Sequence, residues 1–171
     1  KRSAPVSTKI KTYHWSPRQG IFDEKALDGV DAIISLAGAK INQRWTKKNR
    51  KAILDSRVKG TQLIQNALKN NPNHNVTHFI SASAIGLYPS DFDRTYKESE
   101  TKVANSFTGE VVAAWEQQVD EIATLVRHVS KIRIGLVLAK SGGALVPLAT
   151  PASFGLGAWF GSGKQWQSWI H

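Results

Sequence analysis

The chain has no cysteine and no methionine among its 171 residues. Without cysteine there are no disulfide bonds and no thiolate metal sites, and the composition fits a reducing, cytoplasmic location. No run approaches the roughly 18 consecutive apolar residues of a membrane-spanning helix. No apolar signal segment follows the opening Lys1-Arg2-Ser3. The sequence therefore predicts no membrane association.

Acidic residues are scarce, with 13 against 23 basic residues and a net charge of +10. Such an excess favours contact with polyanions, including nucleic acid and phosphorylated ligands. The basic side chains are spread along the chain except in RWTKKNRK (44–51), which is typical of the solvated start of a helix. Nucleic-acid binding therefore ranks last among the functions considered.

Apolar runs and helical patterns alternate along the chain. Nearly continuous apolar runs predict buried strands at 30–37, 77–83 and 131–138. Apolar residues at helical spacing predict helices at 46–70 and 108–127. A short strand at 9–15 and a turn-helix segment at 23–29 precede them. This alternation indicates an α/β fold with a doubly wound parallel sheet.

Parallel strands place their carboxyl ends along one edge of the sheet, where ligands bind. We therefore expect Gly38, Ser83 and Val137 to border one crevice. Gly38 directly follows a predicted strand and lacks a Cβ, so a ligand can approach the backbone there. The alternative for Gly38 is an ordinary turn glycine.

The stretch FISASAIGLY (79–88) places hydroxyls at the end of an apolar strand. Ser81 and Ser83 alternate with Ala82 and so point to the same side. Such serines either satisfy neighbouring groups or take part in chemistry, and the sequence leaves both readings open.

One helix carries a further candidate. Arg57 lies three residues before Gly60, on nearly the same helix face. A guanidinium there is able to bind a phosphate through two hydrogen bonds, and the alternative is a solvent-exposed charge. Gly60 costs about 1 kcal/mol relative to alanine in a helix interior, which indicates close packing.

Other motifs fail. The five histidines show no metal-binding spacing, so no metal site is expected. The segment GLGAWFGSG (155–163) does not stand between a strand and a helix, as a dinucleotide loop must. Three tryptophans near the C-terminus would stack on a ring or belong to the core: Trp159, Trp166 and Trp169.

Several segments together resemble one family. ISLAG (34–38), RVKGTQLI (57–64), FISASAIGLY and GSGKQWQSWIH (161–171) resemble motifs of extended short-chain dehydrogenases. With the WE pair (115–116) and RIGLVL (133–138), the chain is similar to epimerase-like atypical short-chain dehydrogenases, the NAD-dependent epimerase/dehydratase family.

The resemblance implies a Rossmann-type domain at 1–140 that lacks its first βα unit with the Gly-rich phosphate loop. Residues 141–171 would begin a small, truncated C-terminal substrate-binding region. We therefore expect the chain to start within a longer gene product. The basic pair Lys1 and Arg2 matches a position that meets the 2′-phosphate, which favours NADP over NAD. The other implied cofactor-binding residues are Leu36, Ala37, Gly38, Arg57, Ser81 and Val137.

The family's catalytic Tyr-x-x-x-Lys pair is absent. Counting back from Glu116, the family's tyrosine position falls on Thr108 and its lysine position on Val112. Neither side chain ionises usefully near neutral pH. Ser83 remains as the catalytic candidate that would orient the substrate. The implied substrate-side residues are Ala84, Tyr88 and Gln165, and Tyr88 or Tyr96 would stand in for the missing tyrosine.

Two functional hypotheses follow from the resemblance. The first is an NADP-dependent oxidoreductase or epimerase that acts on a small, sugar-like substrate. The second is a sensor or scaffold that binds NADP(H) without turnover. Whether the protein is an enzyme therefore stays open. Extended relatives also imply a homodimer through the helices predicted at 46–70 and 108–127.

Overall fold

The computed structural model describes residues 10–140, 142–157, 159 and 161–171. A short antiparallel hairpin joins β1 (Trp15–Ser16) to β2 (Ile21–Phe22). A 3-10 helix over Glu24–Leu27 follows, capped by the Asp23 side chain, and confirms the predicted turn-helix segment. The strand predicted at 9–15 is wrong for residues 10–14, because the pairing partner β2 is only two residues long.

The central sheet has the strand order β3-β4-β5, with β3 at Ala32–Ser35, β4 at His78–Ala84 and β5 at His128–Ile134. β3 runs parallel to β4, and Ser35 lies opposite Ser81. The parallel pairing, with helices between the strands, confirms the predicted α/β fold class.

Two long helices follow β3 and β4. α1 spans Lys47–Asn70, and the Thr46 side chain caps it by accepting a hydrogen bond from the backbone N–H of Asn49. α2 spans Phe107–Asp120 and tightens into a 3-10 turn over Glu121–Thr124. The helix predicted at 46–70 is confirmed, and the one predicted at 108–127 ends earlier than expected.

The prediction of one continuous strand at 131–138 is wrong, because the chain breaks at Gly135 into two strands that end at Ile134 and begin at Leu136. A Cβ at Gly135 would lie 2.5 Å from the carbonyl oxygen of Ser168, so only glycine permits this approach. The same carbonyl accepts a hydrogen bond from Leu136 N at 2.8 Å. The chain after Gly135 therefore pairs with a new neighbour and leaves the central sheet.

The C-terminal region forms a second small sheet with the strand order β7-β6-β8. Its strands are β6 (Leu136–Ala139), β7 (Gly142–Gly143) and β8 (Trp169–Ile170), and α3 (Leu145–Ser153) lies between β7 and β8. Three tryptophans of this region are 61–79% exposed, so they are not core residues: Trp159, Trp166 and Trp169.

The chain divides into two compact units. The first takes in the described residues up to Ser81 together with Gln117–Ser130, and the second takes in Ala82–Glu116 together with Lys131–His171. Each unit has buried apolar residues of its own: Ile53, Leu68, Phe79 and Ile122 in the first, and Leu87, Val111, Val112 and Trp115 in the second. The predicted boundary after residue 140 separates a cofactor-binding domain from a substrate-binding region. The division into compact units does not test which residues bind a ligand, so this boundary stays a prediction.

None of the helices in the described part of the chain combines the length and apolar character that crossing a lipid bilayer requires.

Candidate functional site

In the first unit, the carboxyl end of β3 meets the guanidinium of Arg57. A Cβ on Gly38 would lie 3.1 Å from Arg57 Cζ and 3.2 Å from one of its terminal nitrogens. That distance is tighter than ordinary van der Waals contact, so a larger residue would push the guanidinium away. Gly38 is therefore the residue that lets the guanidinium lie against the backbone.

Hydrogen bonds fix Arg57 in this position. Its Nη1 donates to the carbonyl oxygens of Ile53 at 3.0 Å and Ala39 at 3.3 Å. Ser56 ties the same loop to α1, because its hydroxyl oxygen accepts a hydrogen bond from Ala39 N at 2.8 Å. Burial lowers the pKa of Arg57, since desolvation penalises the charged form. Arg57 is thus half-buried, and the alternative that the sequence left open, a solvent-exposed charge, is wrong.

An apolar cavity of about 360 Å³ adjoins the end of β3 in the same unit. Leu36 and Ala37 form part of its wall, as do residues of the hairpin, the first 3-10 helix and α1. Leu36 is 70% exposed, so an apolar side chain is available at the mouth. A flat, partly apolar ligand group fits such a wall, since small-molecule sites are mostly apolar with a few polar groups. The remaining lining residues are Trp15, Phe22, Ala26, Leu27, Ile33, Ile34, Ser35 and Ile64.

In the second unit, the Ser83 hydroxyl is satisfied by a carboxylate. Ser83 is 4% exposed near the end of β4, and its Oγ donates a hydrogen bond to Glu116 Oε1 on α2. Ser83 therefore bonds a buried acid. Its predicted role in orienting a substrate stays a prediction. Ser81, in the first unit, is fully buried opposite Ser35.

Glu116 forms a two-point ion pair with Arg133 on β5. Arg133 Nε donates to Glu116 Oε1 and Nη2 donates to Oε2, both at 2.8 Å. Burial acts to raise the pKa of Glu116, but the hydrogen bonds from Arg133 and Ser83 and the nearby positive charges outweigh it, so this pKa is lowered. The Glu116 hydrogen bond in turn raises the pKa of Arg133. Both groups are therefore held in their charged forms.

The same guanidinium holds Tyr88. Arg133 Nη1 donates to the Tyr88 hydroxyl oxygen at 2.6 Å, and that hydroxyl donates to the carbonyl oxygen of Lys97 at 3.2 Å. The Tyr88 ring also stacks on Tyr96, with ring centroids 5.1 Å apart. A 3-10 turn after Ala84 sets this position, because Tyr88 closes the turn. We call Ser83, Tyr88, Glu116 and Arg133 together the Arg133 cluster.

Sequence reasoning missed Glu116 and Arg133 as site residues, although both left a signal. Glu116 interrupts the apolar face of a helix, next to the buried Trp115. Arg133 is a charge between the two isoleucines of a predicted apolar strand, which also begins with the charged Lys131. An acid on the apolar face of a helix and a base inside an apolar strand indicate a pair. Of the two positions predicted for the family's Tyr-Lys pair, Val112 is buried and Thr108 faces Gly86.

The structure places the other predicted site residues separately. Lys1 and Arg2 lie outside the described residues. Val137 is 38% exposed in β6, and Gln165 is exposed in an irregular segment. Gly38 belongs to the first unit, while Val137 belongs to the second with Ser83, so their common crevice stays a prediction. Across the described ranges, no group of three or more histidine, aspartate or glutamate side chains is arranged to hold a metal ion.

Comparison with known proteins gives a consistent picture. No family model matches the chain. The chain is 39% identical over 163 residues to an epimerase family protein of Staphylococcus saprophyticus, covering 95% of this chain and 53% of that protein. An epimerase family protein of Staphylococcus aureus is 33% identical over the same shares. The chain therefore spans about half the length of the curated relatives it matches.

Solved structures agree with these relatives. A crystal structure of a human epimerase family protein with NADPH matches with a TM-score of 0.72 and 31% identity, covering 83% of this chain and 48% of that one. A nucleoside-diphosphate sugar epimerase from Corynebacterium glutamicum matches with a TM-score of 0.75 and 31% identity, covering 92% and 32%. Over the part of its relatives that it spans, this chain is therefore similar in sequence and in fold to epimerase family proteins.

Proposed function

We propose that the protein of which this chain is part binds NADP(H) and acts as an oxidoreductase or epimerase on a small, sugar-like molecule. The observation that carries the proposal is the half-buried guanidinium of Arg57 held against Gly38, beside an apolar cavity. The NADPH in the crystal structure of the human relative supports the choice of NADP(H). The sequence pattern at Lys1 and Arg2 supports it as well.

The residues at the end of β3 fit the adenosine half of a dinucleotide. Arg57 supplies a cationic donor for a phosphate, and an anion there offsets the cost of burying the guanidinium. Leu36 and Ala37 supply an apolar wall for a flat ring. Bound NADP(H) would supply hydride transfer. Ser81 and Val137 remain proposed contacts of the same cofactor.

The test is a titration of the full-length protein with NADPH and with NADH, followed by tryptophan fluorescence. NADPH is expected to bind more tightly than NADH. Arg57→Met should weaken NADPH binding about tenfold, because a charge-assisted hydrogen bond contributes on the order of 1.5 kcal/mol. The matched control is Arg127→Met, since Arg127 is exposed at the end of the first unit and should leave binding unchanged. Failure of both nucleotides to bind would end the proposal.

A second candidate function is binding without turnover, as a sensor or scaffold. Val112 and Thr108 in place of the family's lysine and tyrosine favour it, as does the engagement of the Ser83 hydroxyl by Glu116. Assays of the NADPH-loaded protein against aldehydes, ketones, alcohols and nucleotide sugars separate the two candidates. One productive substrate rules out the sensor, and binding without any hydride exchange rules out the enzyme.

The homodimer stays a proposal. The large hydrophobic residues that are exposed in the described chain all lie outside α1 and α2, so the two helices expose no obvious apolar dimer face. Light scattering on the full-length protein decides the oligomeric state.

A further inference from the structure

Arg133 is the hub of the polar network in the second unit. Two of its nitrogens bond the two oxygens of Glu116, which fixes the plane and the rotation of the guanidinium. Its third nitrogen, Nη1, then points at the Tyr88 hydroxyl oxygen and at the carbonyl oxygen of Glu98, at 2.6 Å and 3.0 Å. The position of the Tyr88 hydroxyl is therefore set by an ion pair on two other elements, α2 and β5.

This contact has chemical consequences for the phenol oxygen. A guanidinium is always charged near neutral pH, and a cationic donor stabilises negative charge on the oxygen that accepts its hydrogen bond. In the Tyr-x-x-x-Lys pair that this sequence lacks, the lysine ammonium stabilises the negative charge on the tyrosine oxygen. Here the cation comes from β5 and the phenol from the turn after β4.

We propose that Arg133, oriented by Glu116, is a positioning residue for Tyr88, and that Tyr88 is the proton-transferring residue of this site. The proposal rests on the proposed NADP(H)-dependent function. In a reduction, the substrate carbonyl carbon takes up hydride from NADPH and its oxygen takes the Tyr88 proton. The Tyr88 O–H bond breaks, the substrate O–H bond forms, and the phenolate left behind is held by Arg133. In the oxidation the proton and the hydride move the other way.

The geometry leaves room for this exchange. The hydroxyl proton of Tyr88 is engaged by the Lys97 carbonyl at 3.2 Å, which is longer than the 2.6 Å contact from Arg133. The weaker contact is the one that a substrate oxygen replaces. Tyr88 is also half-buried, whereas Ser83 and Glu116 are buried. A ligand therefore reaches Tyr88, like the half-buried Arg133, more readily than it reaches Ser83 or Glu116.

The experiment reads Tyr88 directly. The chain has three tyrosines, at positions 13, 88 and 96, so isotope labelling at the ring carbon that bears the hydroxyl gives three assignable signals from this part of the full-length protein. Arg133→Lys keeps the charge but loses the two-point fork, and it should shift the Tyr88 signal. Glu116→Gln should shift the Tyr88 signal too, because the guanidinium is no longer fixed.

The control is Arg94→Lys. Arg94 pairs with Glu100 and lies over the Tyr96 ring, 5.1 Å from its centroid, so the signal of Tyr96 should move most. The Tyr88 signal senses this change only through its ring stack on Tyr96, so it should move less than in Arg133→Lys. A Tyr88 signal that is the same in wild type, Arg133→Lys and Glu116→Gln overturns the positioning role, even where these variants lose thermal stability.

The second arm concerns proton transfer. Tyr88→Phe should keep NADPH affinity within about twofold while lowering NADPH consumption with a panel of aldehydes and ketones about 100-fold. Equal consumption by Tyr88→Phe and wild type overturns the assignment, and so does a wild type that binds NADPH but reduces no member of the panel. Failure of the wild type to bind NADPH at all is instead the failure of the proposed function, and the tyrosine signals still decide the positioning role.

Discussion

Two arginines, one in each unit, are held in opposite ways. Arg57 lies against Gly38 and donates to backbone carbonyls, and burial lowers its pKa. Arg133 is clamped by both oxygens of Glu116, and the hydrogen bond to that carboxylate raises its pKa. Burial thus works against the charge of Arg57, whereas the fold stabilises the charge of Arg133.

The difference teaches what each arginine is suited to do. A buried cation whose charged form is penalised gains from a bound anion, which supports the proposed phosphate contact of Arg57. A cation already neutralised by a carboxylate gains little from an anion, but it presents a rigid donor to a third group. This contrast supports the proposed role of Arg57 in binding and that of Arg133 in positioning.

The largest expected effect comes from removing each guanidinium in turn. Arg133→Met leaves Glu116 buried without its main partner, which costs about 3 kcal/mol in the free energy of unfolding. Arg57→Met removes hydrogen bonds to two carbonyls and should cost about 1 kcal/mol. Urea denaturation of both variants, followed by circular dichroism, measures the two costs. Equal losses of unfolding free energy in the two variants would contradict the view that the two arginines are held in different ways.

The second effect concerns Gly109, in the first turn of α2. A Cβ on Gly109 would lie 2.2 Å from the carbonyl oxygen of Ala104, and this carbonyl is held by a hydrogen bond from Ser106 N at 2.8 Å. Gly109→Ala should therefore lower the free energy of unfolding by about 2 kcal/mol through overpacking. Thermal denaturation of the variant against wild type gives the value, and an unchanged melting temperature would contradict the close approach.

The third prediction is a pH dependence that belongs to the second unit. Because the pKa of Glu116 is lowered in the folded state, its contribution to stability is present above its ordinary value of 4.5 and is lost as the pH falls through the folded-state pKa. Stability should thus decline on the acid side of 4.5 more steeply in wild type than in Glu116→Gln. Urea midpoints measured across this range test the difference between the two slopes.

Asp55 also has a lowered pKa, through hydrogen bonds from Lys51 and Lys59, and it provides the control for this pH dependence. The three side chains form a solvent-screened cluster in the first unit, and such surface pairs contribute little. Asp55→Asn should therefore keep most of the wild-type acid slope. A larger change in Asp55→Asn than in Glu116→Gln would assign the acid sensitivity to the first unit.

The smallest effect is a gain in stability in the first unit. A Cβ on Gly60 would lie 3.5 Å from Trp15 Cζ2, which is ordinary van der Waals contact. Gly60→Ala should therefore add about 0.5 to 1 kcal/mol to the free energy of unfolding, because alanine is the better helix former. Gly109→Ala is expected to lower the melting temperature, whereas Gly60→Ala is expected to raise it. The two variants therefore compare the surroundings of the two glycines with the same substitution. A loss of stability in Gly60→Ala would contradict this prediction, because it would show that an added Cβ clashes with Trp15.

Local patterns predicted the main elements well. The helix predicted at 46–70 matches α1 almost to the residue, because capping by Thr46 and helix-breaking by Pro72 depend on immediate neighbours. The break at Gly135 was not predicted, since the cause is the carbonyl of Ser168, which lies far along the chain. The strand-end positions of Gly38 and Ser83 were recognised, but their partners Arg57 and Glu116 follow from packing.

The sequence by itself determined the α/β alternation, the buried faces of the two long helices and the family resemblance, because periodicity and motifs depend on neighbouring residues. The burial predicted for the strands at 30–37 and 131–138 is wrong for Ile34, Leu36 and Ile132, which are exposed. Only the tertiary structure decided which buried polar groups meet: Ser83 with Glu116 across 33 positions, and Tyr88 with Arg133 across 45. A buried charge must find a partner, but neither its identity nor its geometry is written in the residues beside it. That choice depends on how strands and helices pack, and the roles proposed for Arg57 in binding and for Arg133 in positioning rest on it.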